Sequence, residues 1–142
     1  MLVSDIMNTD VVSVTPDESA LLAARLLSRH NIGSLPVCEE DGALKGIVTD
    51  RDIVLRCVAG GARPSETSVR DIMSRSVVTA SPEDDVARAS ELMSTAQVRR
   101  LPVVRGGKLV GMLALGDLAR RTACDMEASR ALTEISANIR KL

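Results

Sequence analysis

The 142-residue chain contains no phenylalanine, tyrosine or tryptophan, and a single histidine. Without aromatic rings, aromatic stacking on a base is excluded, and any nucleobase would have to lie among aliphatic side chains and backbone groups. His30 has no cysteine or histidine neighbour at ligand spacing, and no metal is expected. Cys38, Cys57 and Cys124 share no motif spacing. An odd count with no recognisable secretory leader argues against a disulfide framework, and the three read as small hydrophobes. No apolar run approaches the roughly 18 residues of a membrane-spanning helix. The opening MLVSDIMNTD lacks a basic region followed by an apolar run, so the expected compartment is the cytoplasm. A net charge of -1 disfavours a general nucleic-acid binder. No P-loop or Rossmann glycine pattern occurs and no nucleophile–base pair is implied, so the chain is not expected to be an enzyme.

What the sequence does have is a duplication. Asp5-Ile6-Met7 returns as Asp71-Ile72-Met73, Val11-Val12 as Val77-Val78, Pro16 as Pro82, and Leu35-Pro36-Val37 as Leu101-Pro102-Val103, all at an offset of 66. The offset drops to 65 after Glu39-Glu40-Asp41, which is one residue longer than its counterpart Arg105-Gly106. Gly42, Leu44, Gly46 and Asp52 then match Gly107, Leu109, Gly111 and Asp117. The organisation expected is a first copy at 1–60, a linker at 61–69, a second copy at 70–123 and a C-terminal helix at 124–142.

Each copy reads β-α-β-β-α. A short strand (11–14, 77–80) leads into Thr15-Pro16-Asp17-Glu18 or Ser81-Pro82-Glu83-Asp84. A hydroxyl cap, proline at the first position and acids in the first turn predict helices over 17–29 and 83–95. The first helix is almost solidly apolar from Ala20 to Leu27 and is expected to be well buried; the second shows Val86, Ala89, Met93 and Ala96 at helical spacing. Hairpins follow at 34–38 with 44–49 and at 100–104 with 108–114, and final helices begin near Asp50 and Leu115. In the tail, Ala128, Leu132, Ile135, Ile139 and Leu142 form one apolar stripe, suited to packing on its own module or to a dimer contact.

These elements, in order and twice over, resemble the CBS domain family, and in particular stand-alone bacterial CBS pairs of the hypoxic response protein type. The resemblance covers about 4–58 and 70–123. It implies an α/β (α+β) fold in which two repeats pack about a pseudo-twofold axis, and a homodimer of such modules. It also implies a regulatory role, with an adenosine-containing ligand held between the repeats: AMP, ADP or ATP before S-adenosylmethionine or NAD.

The family's ribose motif, a hydroxyl residue followed three positions later by aspartate, is complete in the first copy as Thr49 and Asp52. It is incomplete in the second, as Ala114 and Asp117. An ionised carboxylate suits the vicinal hydroxyls of a ribose. The same spacing also suits a helix capping box. The stretch before Leu-Pro-Val, where the family carries phosphate-binding basic residues, is Gln97-Val98-Arg99-Arg100 in the second copy and Asn31-Ile32-Gly33-Ser34 in the first. The resemblance therefore implies one better site, with Thr49 and Asp52 reading ribose, Arg99 and Arg100 clamping phosphate, and Val78, Val98 and Met73 around the base. Asp117 belongs to the poorer site. Against this ligand-sensing expectation stands an interaction homodimer acting through an effector protein, with its clefts empty.

Overall fold

The computed structural model describes residues 1–120 and the helical backbone of 125–140, with side chains in that last helix described at 130–137. The chain divides into two compact units, Val12–Val77 and Met1–Val11 together with Val78–Leu142. The division does not follow the repeat. The segment that opens the first copy, its leader at 1–7, belongs to the unit that carries the second copy's hairpin, and its duplicate around 67–73 belongs to the unit that carries the first copy's hairpin.

The Val12–Val77 unit holds α1 (Ala20–His30), β1 (Ser34–Cys38), β2 (Leu44–Thr49), α2 (Asp50–Ile53), a π-helical turn over Val54–Val58, and α3 (Val69–Ile72). The other unit holds a 3-10 turn at Val3–Asp5, then α4 (Val86–Ala96), β3 (Arg100–Arg105), β4 (Lys108–Ala114), α5 (Leu115–Ala119) and α6 (Asp125–Arg140). Both follow the β-α-β-β-α plan read from the sequence. The hairpins are antiparallel, with Pro36 opposite Ile47 and Pro102 opposite Met112, and each carries a bulge, after Val37 and after Val103.

The leading strands are shorter than expected. Each reduces to one parallel bridge, Val14 to Val37 and Ala80 to Val103. Val14 donates to the Pro36 carbonyl (3.1 Å) and accepts from Cys38 (2.8 Å); Ala80 does the same with Pro102 (3.0 Å) and Val104 (2.8 Å). The next rung would need an N–H from Pro36 or Pro102, and proline has none. The repeated proline thus limits the third strand to one bridge.

Both long helices start later than the sequence suggests. Thr15–Glu18 closes as a turn, Thr15 N–H donating to Glu18 Oε1 (3.0 Å) and Glu18 N–H to the Thr15 carbonyl (3.2 Å). α1 begins at Ala20, capped by Ser19 Oγ, which accepts from Leu22 N–H (3.1 Å). In the second copy Ser81 N–H donates to Asp84 (2.8 Å), and Asp85 caps α4 at Ala87 (2.9 Å). The residues between turn and helix are taken up in antiparallel bridges, Ser19 with Ser68 and Asp85 with Leu2, which hold them extended. The polar runs are therefore docking points for a leader segment rather than helix starts. α1 is also less enclosed than its composition suggested: Ala20, Ala23 and Leu27 are buried, but Leu22 faces solvent.

Each core is built on its borrowed leader. Val69, Ile72 and Met73 join Val14, Leu35, Val37 and Val48 in one, and Val3 and Ile6 join Leu101, Val103, Leu113 and Leu118 in the other. The leader's methionine lies over a glycine of the hairpin. A Cβ on Gly46 would stand 3.0 Å from Met73 Sδ and 2.6 Å from the Ser74 carbonyl oxygen. On Gly111 it would stand 2.7 Å from Met7 Sδ. The recurring Asp-Ile-Met and hairpin Gly are thus two sides of one contact, sealed by Ile47–Ser74 and Asn8–Met112 backbone pairs.

α6 packs on α4 and α5, through Ala131 and Ile135. This rotates the apolar stripe from its expected line, since Leu132 is exposed. Of the remaining stripe residues, Leu142 and the side chains of Ala128 and Ile139 lie outside the described residues, as does Cys124.

Candidate functional site

β2 ends at Thr49, which is the N-cap of α2. Its Oγ1 accepts from Asp52 N–H (3.0 Å), and Asp52 Oδ2 accepts from Thr49 N–H (2.9 Å). The capping box read from the spacing is formed. It leaves acceptor capacity over: Asp52 Oδ1 makes no hydrogen bond among the described residues, its nearest cation being Arg56 Nε at 3.9 Å. A carboxylate has about four lone-pair sites, so the cap occupies only part of Asp52. The side chain is 14% exposed.

The second copy keeps half of this. Asp117 Oδ2 accepts from Ala114 N–H (2.8 Å), but Ala114 has no hydroxyl to return the bond, and Arg120 ion-pairs with Asp117. Within that unit Arg100 sits opposite Ala114, and the Arg99 carbonyl accepts from Leu115 N–H (2.8 Å). The register therefore brings the arginine pair to the same end as Asp117. In the other unit it brings Ser34 opposite Thr49, with the Gly33 carbonyl accepting from Asp50 N–H (3.1 Å).

Arg99 and Arg100 are exposed and make no ion pair among the described residues. Arg25, Arg29, Arg51 and Arg75 likewise make none there, whereas Arg56, Arg63, Arg70, Arg88, Arg105, Arg120 and Arg130 have carboxylate partners. Of the three apolar candidates, Val78 is 40% exposed, Val98 is half-buried against the core of its unit, and Met73 is 5% exposed with its sulfur committed to Gly46. Gln97, beside the arginines, ends α4 in the left-handed region (φ 57). Its amide nitrogen donates to the Ser94 carbonyl (2.6 Å), and its amide oxygen is buried without a partner among the described residues.

The sequence reading missed Arg56. Besides facing Asp52, its Nη1 donates to the carbonyls of Ile72 (3.2 Å) and Met73 (3.3 Å). Its only sequence signal was the four-residue spacing from Asp52. A groove of about 410 Å³ between α4 and α6, lined by Ala87, Ser90, Glu91, Ser94, Arg130 and Glu134 among others, contains none of the predicted residues. Among the described residues no three His, Cys, Asp or Glu side chains are placed to hold a metal, and no helix is long and apolar enough to cross a membrane.

The model of the family described as "CBS domain" matches residues 3–58 and 69–123. The CBS domain-containing protein YhcV of Bacillus subtilis is 46% identical over 134 residues, 94% of either chain. Hypoxic response protein 1 of Mycobacterium tuberculosis is 35% identical over 116 residues, 82% of this chain and 81% of that one. Among solved structures, Hypoxic Response Protein I with two coordinated zinc ions superposes with a TM-score of 0.79 at 33% identity, covering 85% of this chain and 98% of that one. The CBS domain pair of protein MJ0100, in complex with 5-methylthioadenosine and S-adenosyl-L-methionine, gives a TM-score of 0.73 at 31% identity, covering 84% of this chain and 94% of that one.

Proposed function

The chain belongs to the CBS domain family, as a two-copy regulatory and ligand-sensing module without catalysis, and from that premise we propose that its ligand is an adenine nucleotide of the AMP, ADP or ATP class. Thr49 and Asp52 of the first copy read the ribose. Arg99 and Arg100 of the second take the phosphates, for which the planar guanidinium fork is well shaped. The base lies against Val78 and Val98, which have surface left to bury, whereas Met73 has almost none. Asp117, already engaged by Arg120, marks the poorer site.

The observation that carries this reading is Asp52, whose side chain is 14% exposed and keeps one oxygen free of hydrogen bonds among the described residues. Arg99 and Arg100 add two exposed cations with no carboxylate partner there. The adenosine-type ligands of the MJ0100 pair support the ligand class.

The test is calorimetric titration with AMP, ADP, ATP, NAD and S-adenosylmethionine, on the wild type and on Asp52→Ala, Arg100→Ala and Asp117→Ala. Heat with an adenine nucleotide, lost in the first two variants and kept in the third, is the expected result. Silence from every ligand up to millimolar would sink the nucleotide, and loss in Asp117→Ala alone would sink the one-site assignment.

A second reading, an interaction homodimer, is favoured by a different observation. Val54, Leu55 and Val58 stand 55%, 50% and 57% exposed on the turn after α2. The second-copy positions matching the first two are Ala119 and Arg120, so this apolar patch belongs to the first copy. A patch of this kind suits a self-complementary contact with a second copy of the chain.

A further inference from the structure

Arg56 joins two features that the sequence treats separately. On one side is the Asp52 carboxylate, with Oδ1 3.9 Å from the guanidinium Nε. On the other are the last carbonyls of the α3 segment, Ile72 and Met73, which both accept from Nη1. α3 is only four residues long and ends as Met73 turns to extended backbone (ψ 157). Its terminal carbonyls need partners that the helix cannot supply, and an arginine is a good one. Met73 then rests on Gly46, and Ser74 pairs with Ile47. Arg56 itself rides on a π-helical turn, an uncommon geometry that tends to mark functional positions.

We propose that Arg56 is the residue that makes occupancy at Asp52 felt at the Ile72–Met73 segment; the proposal rests on the ribose reading of Asp52 given above. In the free protein the guanidinium is shared between a carboxylate and two carbonyls. A ligand diol that donates hydrogen bonds to Asp52 satisfies Oδ1 and weakens its pull on Arg56. The guanidinium then settles on the carbonyls of Ile72 and Met73, and the leader of the second copy is held more firmly. All four groups belong to the Val12–Val77 unit, so the link is internal to it. Arg56 is 53% exposed, which leaves it room to shift between its partners. Arg56 is thus a positioning residue that acts through Asp52. In the second copy the position matching Arg56 lies outside the described residues, and Asp117 is paired instead with Arg120, which matches Leu55.

The test is amide hydrogen exchange over 69–74 combined with calorimetry, on the wild type and on Asp52→Ala, Arg56→Ala, Arg56→Lys and the double alanine variant. Without ligand, Asp52→Ala should alter exchange at Met73 and Ser74 in the wild-type background and add nothing in the Arg56→Ala background, the non-additivity expected of linked groups. With saturating AMP, ADP or ATP, exchange at these two amides should slow several-fold in the wild type. It should stay unchanged in Arg56→Ala although that variant still binds, and respond only in part in Arg56→Lys, whose single ammonium cannot serve all three partners. Lysine also provides a folded comparison should the alanine variant fail to fold. Additive effects in the free protein, or undiminished ligand-induced slowing in Arg56→Ala, overturn the relay and leave the nucleotide reading standing. Absence of binding to the wild type overturns the nucleotide reading, and the relay falls with it.

Discussion

The sulfur of Met73 lies where a side chain on Gly46 would have to begin, 3.0 Å from the position of its Cβ. The same relationship holds between Met7 and Gly111 in the other unit, at 2.7 Å. Adding a methyl group there tests how far each leader can give.

Gly46→Ala should cost about 1–3 kcal/mol, the usual range for overpacking a fitted site. Its Cβ would also meet the Ser74 carbonyl oxygen at 2.6 Å, and backbone cannot swing aside. Gly111→Ala should cost less, because the nearest atom it meets belongs to the flexible Met7 side chain and the backbone oxygen of Asn8 is farther off, at 3.1 Å. Urea denaturation midpoints of the two variants decide the order, and a Gly111→Ala midpoint below that of Gly46→Ala would contradict it.

The two capping arrangements make a matched pair. Thr49→Ala removes the hydroxyl that accepts from Asp52 N–H and should cost about 1 kcal/mol. Ala114→Thr supplies the missing hydroxyl above Asp117, whose carboxylate already accepts from residue 114, and should gain about 0.5–1 kcal/mol. Thermal unfolding of the single and double variants reads both signs. Under the nucleotide proposal, Thr49→Ala also weakens binding.

Burial pushes the Cys38 thiol up. The folded protein therefore holds this proton more tightly than the unfolded chain does. The stability tied to it is complete below the ordinary thiol range, about pH 8.5, and falls away as the pH rises through the folded value. Wild type should lose more stability than Cys38→Ala between neutral pH and pH 10. Equal slopes would show that burial of Cys38 has no linked cost. Thiol reagents should reach Cys38 and Cys57, both buried, only as fast as the unit opens.

If the homodimer reading holds, Val54→Asp or Leu55→Asp should shift the protein toward monomer in sedimentation, with little loss of fold, since both side chains are already exposed. A monomeric wild type, or a dimer indifferent to both changes, would remove the patch from consideration.

The repeat, the hairpins and the two final helix starts were legible because glycine, proline and alternation mark them locally. The helix starts at Thr15 and Ser81 were misplaced because the local signal, a hydroxyl, a proline and acids, is equally good for a turn. The deciding partner is a bridge to residues far along the chain, Ser68 for Ser19 and Leu2 for Asp85. The short leading strands had a sequence cause in plain sight, Pro36 and Pro102, but it acts only once the neighbouring segment is known. Thr49 and Asp52 were singled out through the family resemblance, while their spacing alone pointed to a capping box, and that box is what the structure forms. Arg56 was not singled out, because its bonds to Ile72 and Met73 span 16 and 17 residues.

The leader segments carry one more consequence. Met1–Met7 and 67–73 are equivalent in sequence, and each completes the body built by the other copy. A half-length chain ending near residue 66 would keep a leader and a body but lack the covalent order that joins them here. Two such half-chains could trade leaders and rebuild both cores, the reciprocal exchange by which identical protomers assemble. Fusion into one polypeptide makes that partnership permanent and lets the two bodies diverge. One could then keep the full capping box of Thr49 and Asp52 while the other lost its hydroxyl at Ala114.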